Sequence, residues 1–155
     1  MMAASISPLS TIGYQQATLD GVIDEIKRAK VEMVVDIRAV AASRKPGFSK
    51  RQFAAGLEER GVGYLHLQGL GTPPEGRAAA RAGKFDRLLA IYRAHLKSER
   101  ARADLDELTN LVSEGKRLCL MCFEREHSHC HRQWVAEIVH ERTGAPVTHL
   151  VARLE

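Results

Sequence analysis

Cys122 to Arg132, read in order Cys-Phe-Glu-Arg-Glu-His-Ser-His-Cys-His-Arg, gathers two cysteines, three histidines, two glutamates and two arginines into eleven residues. It follows the most apolar run of the chain, Arg117 to Phe123, and leads into a helical pattern marked by Trp134, Val135, Ile138 and Val139. A buried strand that turns through a polar loop into a helix brings unpaired backbone N–H groups and the positive end of the helix dipole to the strand's end. That setting favours an anion. Arg132 adds a fork of donors shaped for phosphate or carboxylate. A thiol in such surroundings is held toward the thiolate, so Cys122 or Cys130 is a candidate nucleophile, with Glu124 or His131 moving protons. Against this stands the usual fate of a free cysteine, which is to be a small buried core residue.

Two neighbouring chemistries are weaker. Cys119 and Cys122 spell C-x-x-C, but residues three apart in a strand point to opposite faces, so no redox pair is expected and Cys119 belongs to the core. Cys122, Glu124, His127, His129, Cys130 and His131 are all of types that zinc accepts. Their spacing matches no zinc-finger pattern, and adjacent residues such as Cys130 and His131 seldom ligate one ion together. No metal ligand and no cofactor is therefore assigned, and a small zinc-binding protein stands as the third reading. The stretch Ala78 to Lys84 lacks the first glycine and the final Ser or Thr of a phosphate-binding loop and follows no strand, so it is set aside.

The elements that must position these groups alternate. Leu9–Ile12 reads as a strand ending at Gly13-Tyr14, and Thr18 caps a helix with Leu19, Val22, Ile23 and Ile26 on one face. Val31–Ile37 is a strand. Ser49 with Gln52 spells a capping box and Phe48 with Phe53 a hydrophobic staple for a helix that stops at Gly61. Val62–Leu67 is the next strand. Gly69 to Gly83 reads as a loop with a helical turn at Arg77 to Ala82, and helices follow through Phe85–Leu96 and Leu105–Val112. Arg117–Phe123 is the central strand, and Pro146–Val151 the last. Strands alternating with helices predict a single three-layer α/β/α, Rossmann-like domain over residues 1–155, with a mostly parallel sheet of about five strands.

Open parallel sheets bind ligands beyond the carboxyl ends of their strands. Those ends here hold Gly13 and Tyr14, then Asp36 and Arg38, then His66, then Cys122 and Glu124. Asp36 and His66 join the acid/base candidates, and Gly13, Tyr14, Arg38, Arg44, Cys130 and Arg132 are the candidate binding residues. Two basic clusters, Arg44-Lys45 with Lys50-Arg51 and Arg77-Arg81-Lys84-Arg87, flank that edge and suit a polyanion.

Composition narrows the class. The chain has 155 residues, 45% hydrophobic and 27% charged, with a net charge of +4, which excludes a disordered or low-complexity protein. No apolar run approaches the ~18 residues of a membrane span. Met1 to Leu9 has no basic residue before an apolar stretch, so no signal peptide is expected. Three cysteines clustered within twelve residues do not describe a secreted disulfide scaffold. A cytoplasmic location with reduced thiols follows as the expectation.

Thr11-Ile12-Gly13-Tyr14, Val35-Asp36-Ile37-Arg38, Tyr64-Leu65-His66-Leu67 with Leu70-Gly71, Tyr92-Arg93-Ala94-His95-Leu96, and Cys122-Phe123-Glu124 leading to Cys130-His131-Arg132 occur in this order. Together they resemble the bacterial and archaeal DUF488 family over about Ser10 to His149, the C-x-E…C-H-R element most specifically. The resemblance implies one cytoplasmic α/β domain and carries no activity. His127 and His129 lie where the family pattern is loose. The functional expectation is an enzyme, a hydrolase or group transferase, acting on a phosphate-bearing substrate such as a nucleotide or nucleic acid. The alternative is a non-catalytic nucleotide- or nucleic-acid-binding module. No membrane partner is expected, and a dimer is allowed but not required.

Overall fold

Leu118–Cys122, in which every residue is buried, forms β4 at the centre of a five-stranded sheet in the computed structural model, which describes residues 6–155. A strand covered on both faces needs no polar alternation, which is why this run reads as continuously apolar. Its neighbours are β1 (Leu9–Gly13) and β2 (Met33–Asp36), with β3 (Gly63–His66) and β5 (Val147–His149) at the edges. The order is β3-β2-β4-β1-β5, and every pairing is parallel. Part of the N-terminal stretch read above as lacking a leader lies outside the described residues. Among the described residues no helix is long and apolar enough to cross a membrane.

The helices cover both faces. The Thr18 hydroxyl accepts a 3.0 Å bond from the Gly21 N–H and starts α1 (Leu19–Arg28). With α2 (Lys50–Glu59) it buries Val22, Ile23, Ile26, Phe53 and Leu57 against Ile12, Val34 and Met121 of the sheet. α3 (Pro74–Arg81) packs on α4 (Phe85–His95), and α4, α5 (Glu99–Ser113) and α6 (His131–Thr143) cover the opposite face through Tyr92, Leu105, Leu108, Val135 and Val139. The chain is thus the three-layer α/β/α fold that its periodicity predicts, with all strands parallel.

Two local expectations change. The Ser49–Gln52 capping box does not form: the Ser49 hydroxyl bonds the backbone of Ser43, and Gln52 Oε1 accepts from the Gly47 N–H. The Phe48–Phe53 staple does, with ring centroids 5.6 Å apart. The segment expected to hold only a turn is a full helix that begins earlier, with Pro74 in its first turn, where a missing N–H loses no helical bond.

The topology decides where a ligand goes. The chain leaves β1 through α1 on one face to reach β2, and leaves β4 through α6 on the other face to reach β5. Neighbouring strands whose connections depart to opposite faces leave a crevice at their carboxyl ends.

Candidate functional site

A cavity of about 390 Å³ fills that crevice. Tyr14 after β1, Arg38 and Val40 after β2, Cys122, Phe123 and Glu124 at the end of β4, and Cys130 and His131 at the start of α6 all line it. Thr72, Arg77 and Arg81 form the facing wall. α4 delivers that wall: the Tyr92 hydroxyl donates to the Leu70 carbonyl at 2.5 Å, and His95 Nε2 donates to the Gly69 carbonyl at 2.7 Å. These two bonds anchor the turn from which Thr72 and α3 extend.

Two sulfurs and one imidazole meet at one end of the cavity. The Sγ atoms of Cys122 and Cys130 are in contact, with their Cα atoms 7.8 Å apart, and both residues are buried. His131 Nδ1 lies 3.6 Å from Cys130 Sγ. Its other nitrogen, Nε2, bonds the Ile37 carbonyl at 2.9 Å. A carbonyl only accepts, so Nε2 carries the proton and Nδ1 turns a lone pair toward the sulfurs. Burial pulls the His131 pKa down to about 4, which keeps the ring neutral at pH 7. Cys119 packs in the core on the opposite face of the sheet, as a C-x-x-C within a strand requires, and burial pushes its thiol up.

Arg132 does not reach the cavity. It is fully buried and spends its donors on the loop that leaves β4. Nε bonds Thr11 Oγ1 at 3.1 Å, Nη1 bonds Cys122 Sγ at 3.2 Å and the Glu124 carbonyl, and Nη2 bonds the Arg125 carbonyl at 3.2 Å. Read from the sequence as a substrate-binding candidate, Arg132 is placed by the fold with its donors on the loop and on the Cys122 sulfur. Burial lowers its pKa to about 10, and it remains a cation at neutral pH.

Asp36 and Arg38 form a second closed network. Arg38 Nε and Nη2 bond the two Asp36 oxygens at 2.9 and 2.8 Å, the Tyr64 hydroxyl donates to Oδ2 at 2.5 Å, and Arg38 Nη1 bonds the Phe48 carbonyl at 2.7 Å. Asp36 is fully buried and lies beneath the cavity, not in it, so the structure does not present it as an acid or base there. Arg38 lines the cavity with its charge already matched by Asp36. His66, the other acid/base candidate, donates from Nε2 to the Arg38 carbonyl at 2.8 Å and lies outside the cavity lining. Gly13 is needed for a different reason than ligand contact, because a Cβ there would overlap the Glu124 carbonyl. Arg44 is exposed and does not line the cavity.

Of the candidate residues, the cavity thus assembles Tyr14, Arg38, Cys122, Glu124, Cys130 and His131. It adds Arg77 and Arg81, which the sequence marks as half of a basic cluster but does not single out. Their i, i+4 spacing aligns both on one helical face, and Lys84 and Arg87 fall off it beyond the end of α3. Arg77 Nη1 bonds the Thr72 carbonyl at 3.0 Å, and neither Arg77 nor Arg81 makes an ion pair among the described residues. Phe123 and Val40 are exposed and line the cavity. His127 lies apart, stacked on His149 with centroids 3.7 Å apart, and the side chain of His129 is outside the described part of the structure.

The family model described as "Domain of unknown function DUF488" matches residues 18–139. The chain belongs to DUF488. The matched span includes the Cys122 to Arg132 segment and α3 and leaves out Thr11–Tyr14, so the DUF488 match is shorter at both ends than the resemblance read from the motifs. No curated protein and no solved structure matches the chain.

Proposed function

We propose that the cavity is the active site of an enzyme that hydrolyses, or transfers a group from, a phosphate-bearing small substrate such as a nucleotide. One observation carries this reading: two cysteines and a neutral histidine stand in a cavity whose facing wall carries two arginines that make no ion pair among the described residues. Arg77 and Arg81 take the phosphate. The Cys122 sulfur, which accepts a hydrogen bond from the buried Arg132 cation, supplies the thiolate on which the chemistry depends. Glu124 lines the same space and is the acid/base candidate. Exposed Phe123 at the mouth offers an aromatic face to a base. A volume of about 390 Å³ suits a small ligand better than a polymer.

Calorimetric titration with inorganic phosphate and mononucleotides tests it. Each charge-assisted contact is worth roughly 1.5–3 kcal/mol, so Arg77→Ala with Arg81→Ala weakens binding by at least about a hundredfold. Equal affinity in wild type and double variant contradicts the reading.

A further inference from the structure

The geometry points to a metal site for a zinc-class divalent cation made by Cys122, Cys130 and His131, with its fourth coordination position open to the cavity. The three ligand atoms, two Sγ and one Nδ1, lie within 4.8 Å of one another. A tetrahedral ion with bonds of about 2.0–2.3 Å gathers its donors over such a span. Two thiolates and an imidazole are a soft and borderline donor set, which suits zinc and not magnesium or calcium.

Three further observations bear on this set. First, the Cα atoms of Cys122 and Cys130 stand 7.8 Å apart, beyond the ~7 Å that a disulfide bridges without backbone movement, whereas an ion held between the two sulfurs suits the wider spacing. Two sulfurs that share an ion stand further apart than the contact seen here, so binding requires the reduced side chains to rotate apart. Second, the Ile37 carbonyl holds the proton of His131 on Nε2, which is the tautomer and ring orientation that a ligating Nδ1 needs. Third, Arg132 donates to Cys122 Sγ, the bond that a metal-bound thiolate accepts from its surroundings.

The chain order no longer argues against this set. Cys130 has extended backbone, with φ −131° and ψ 142°, and His131 is the first residue of α6. The change of backbone conformation between them lets adjacent side chains converge on one point, which two neighbours within a regular helix or strand do not do. All three residues line the cavity, so three protein ligands leave one position facing a bound substrate. Ion binding itself does not depend on the phosphate reading; with the ion bound, Cys122 serves as its ligand instead of as a free thiolate, and only the role of the open position rests on that reading.

The test uses the full chain, purified in reductant without chelator, stripped of metal, and titrated with Zn²⁺ alone and with Co²⁺ alone. One ion per chain is expected, with intense thiolate-to-cobalt charge-transfer absorption and a raised melting temperature. Cys122→Ser, Cys130→Ser and His131→Gln each weaken Zn²⁺ binding beyond the 10–100-fold typical of changes outside the ligand shell, while Cys119→Ala leaves it unchanged. The wild-type cobalt spectrum keeps the test valid if a ligand variant fails to fold. Well under one ion per reduced chain, a cobalt spectrum without thiolate bands, or unchanged affinity in folded ligand variants overturns the site. Zinc binding with phosphate affinity indifferent to Arg77 and Arg81 would sink the phosphate reading alone. Phosphate binding without zinc binding would sink the metal site alone.

Discussion

Asp36, fully buried beneath the cavity, clasps the guanidinium of Arg38, two residues further along the chain and part of the cavity lining, through paired bonds of 2.8 and 2.9 Å. The pair fixes the turn that carries Arg38 and Val40 from the end of β2 into the cavity wall. Removing one partner of a buried pair leaves the other charge uncompensated, at about 3–5 kcal/mol. Asp36→Asn should lose about that much by chemical denaturation. Tyr64→Phe deletes one bond to the same carboxylate and should lose less, about 1.5–3 kcal/mol.

Arg132 gives a different signature, because its bonds reach both the loop and the Cys122 sulfur. Arg132→Lys keeps the charge but not the fork, and strands buried acceptors at roughly 1–3 kcal/mol each. A lowered melting temperature should accompany slower iodoacetamide alkylation of Cys122 at pH 7 in metal-free, reduced protein. In the wild type, Cys122 should alkylate faster than a model thiol, and Zn²⁺ should protect it. Alkylation no faster than the model thiol would remove the thiolate role.

Gly13 and Gly61 separate close approach from backbone freedom. A methyl at Gly13 overlaps the Glu124 carbonyl, whereas Gly61 has φ +76° and nothing within 4 Å of an added Cβ. Gly61→Ala should therefore cost about 1–2 kcal/mol, the left-handed penalty alone. Gly13→Ala should exceed the ~1–3 kcal/mol of ordinary overpacking, because the neighbour is backbone that cannot rotate away. Denaturation midpoints of the two variants make the comparison.

His149 predicts the direction of acid sensitivity. Burial, then the stacked His127 and nearby Arg132, pull its pKa down to about 4, and its Nδ1 shares a hydrogen bond of 2.6 Å with the Thr11 hydroxyl. The unfolded chain takes up a proton near the ordinary value of about 6.5, the folded one only near 4. Stability from this group is therefore complete above about 6.5 and falls as pH drops toward 4. His131, held down by its own burial, adds a slope of the same sign. Denaturation midpoints measured across that window should fall with acid, and His149→Gln should flatten the profile without abolishing it.

The parts of this architecture that show in the sequence are those set by local pattern. The continuous apolar run of β4, the Thr18 cap and the Phe48–Phe53 staple each follow from neighbouring residues, and the strand-end rule brings Cys122, Cys130 and His131 to one edge. What stays hidden depends on direction in space. Arg132 sits in the first turn of α6, and only the fold reveals that its side chain runs inward to Thr11 and the loop carbonyls instead of outward to a ligand. Asp36 and His66 stand at the correct strand ends, yet the Asp36 carboxylate is taken by Arg38 and Tyr64, and His66 Nε2 by the Arg38 carbonyl. Arg77 and Arg81 enter the site because Pro74 starts α3 early enough to aim one helical face at it.

The central claim is that a phosphate-bearing ligand occupies the hollow between α3 and the start of α6. Backbone amide chemical shifts followed by NMR during titration with a mononucleotide test it most directly. The account predicts that the perturbed amides cluster at Thr72, Arg77, Arg81, Cys122 and His131, and that Arg77→Ala with Arg81→Ala erases the pattern. Perturbations confined to the Arg44–Lys45 loop, or none at saturating ligand, would contradict it.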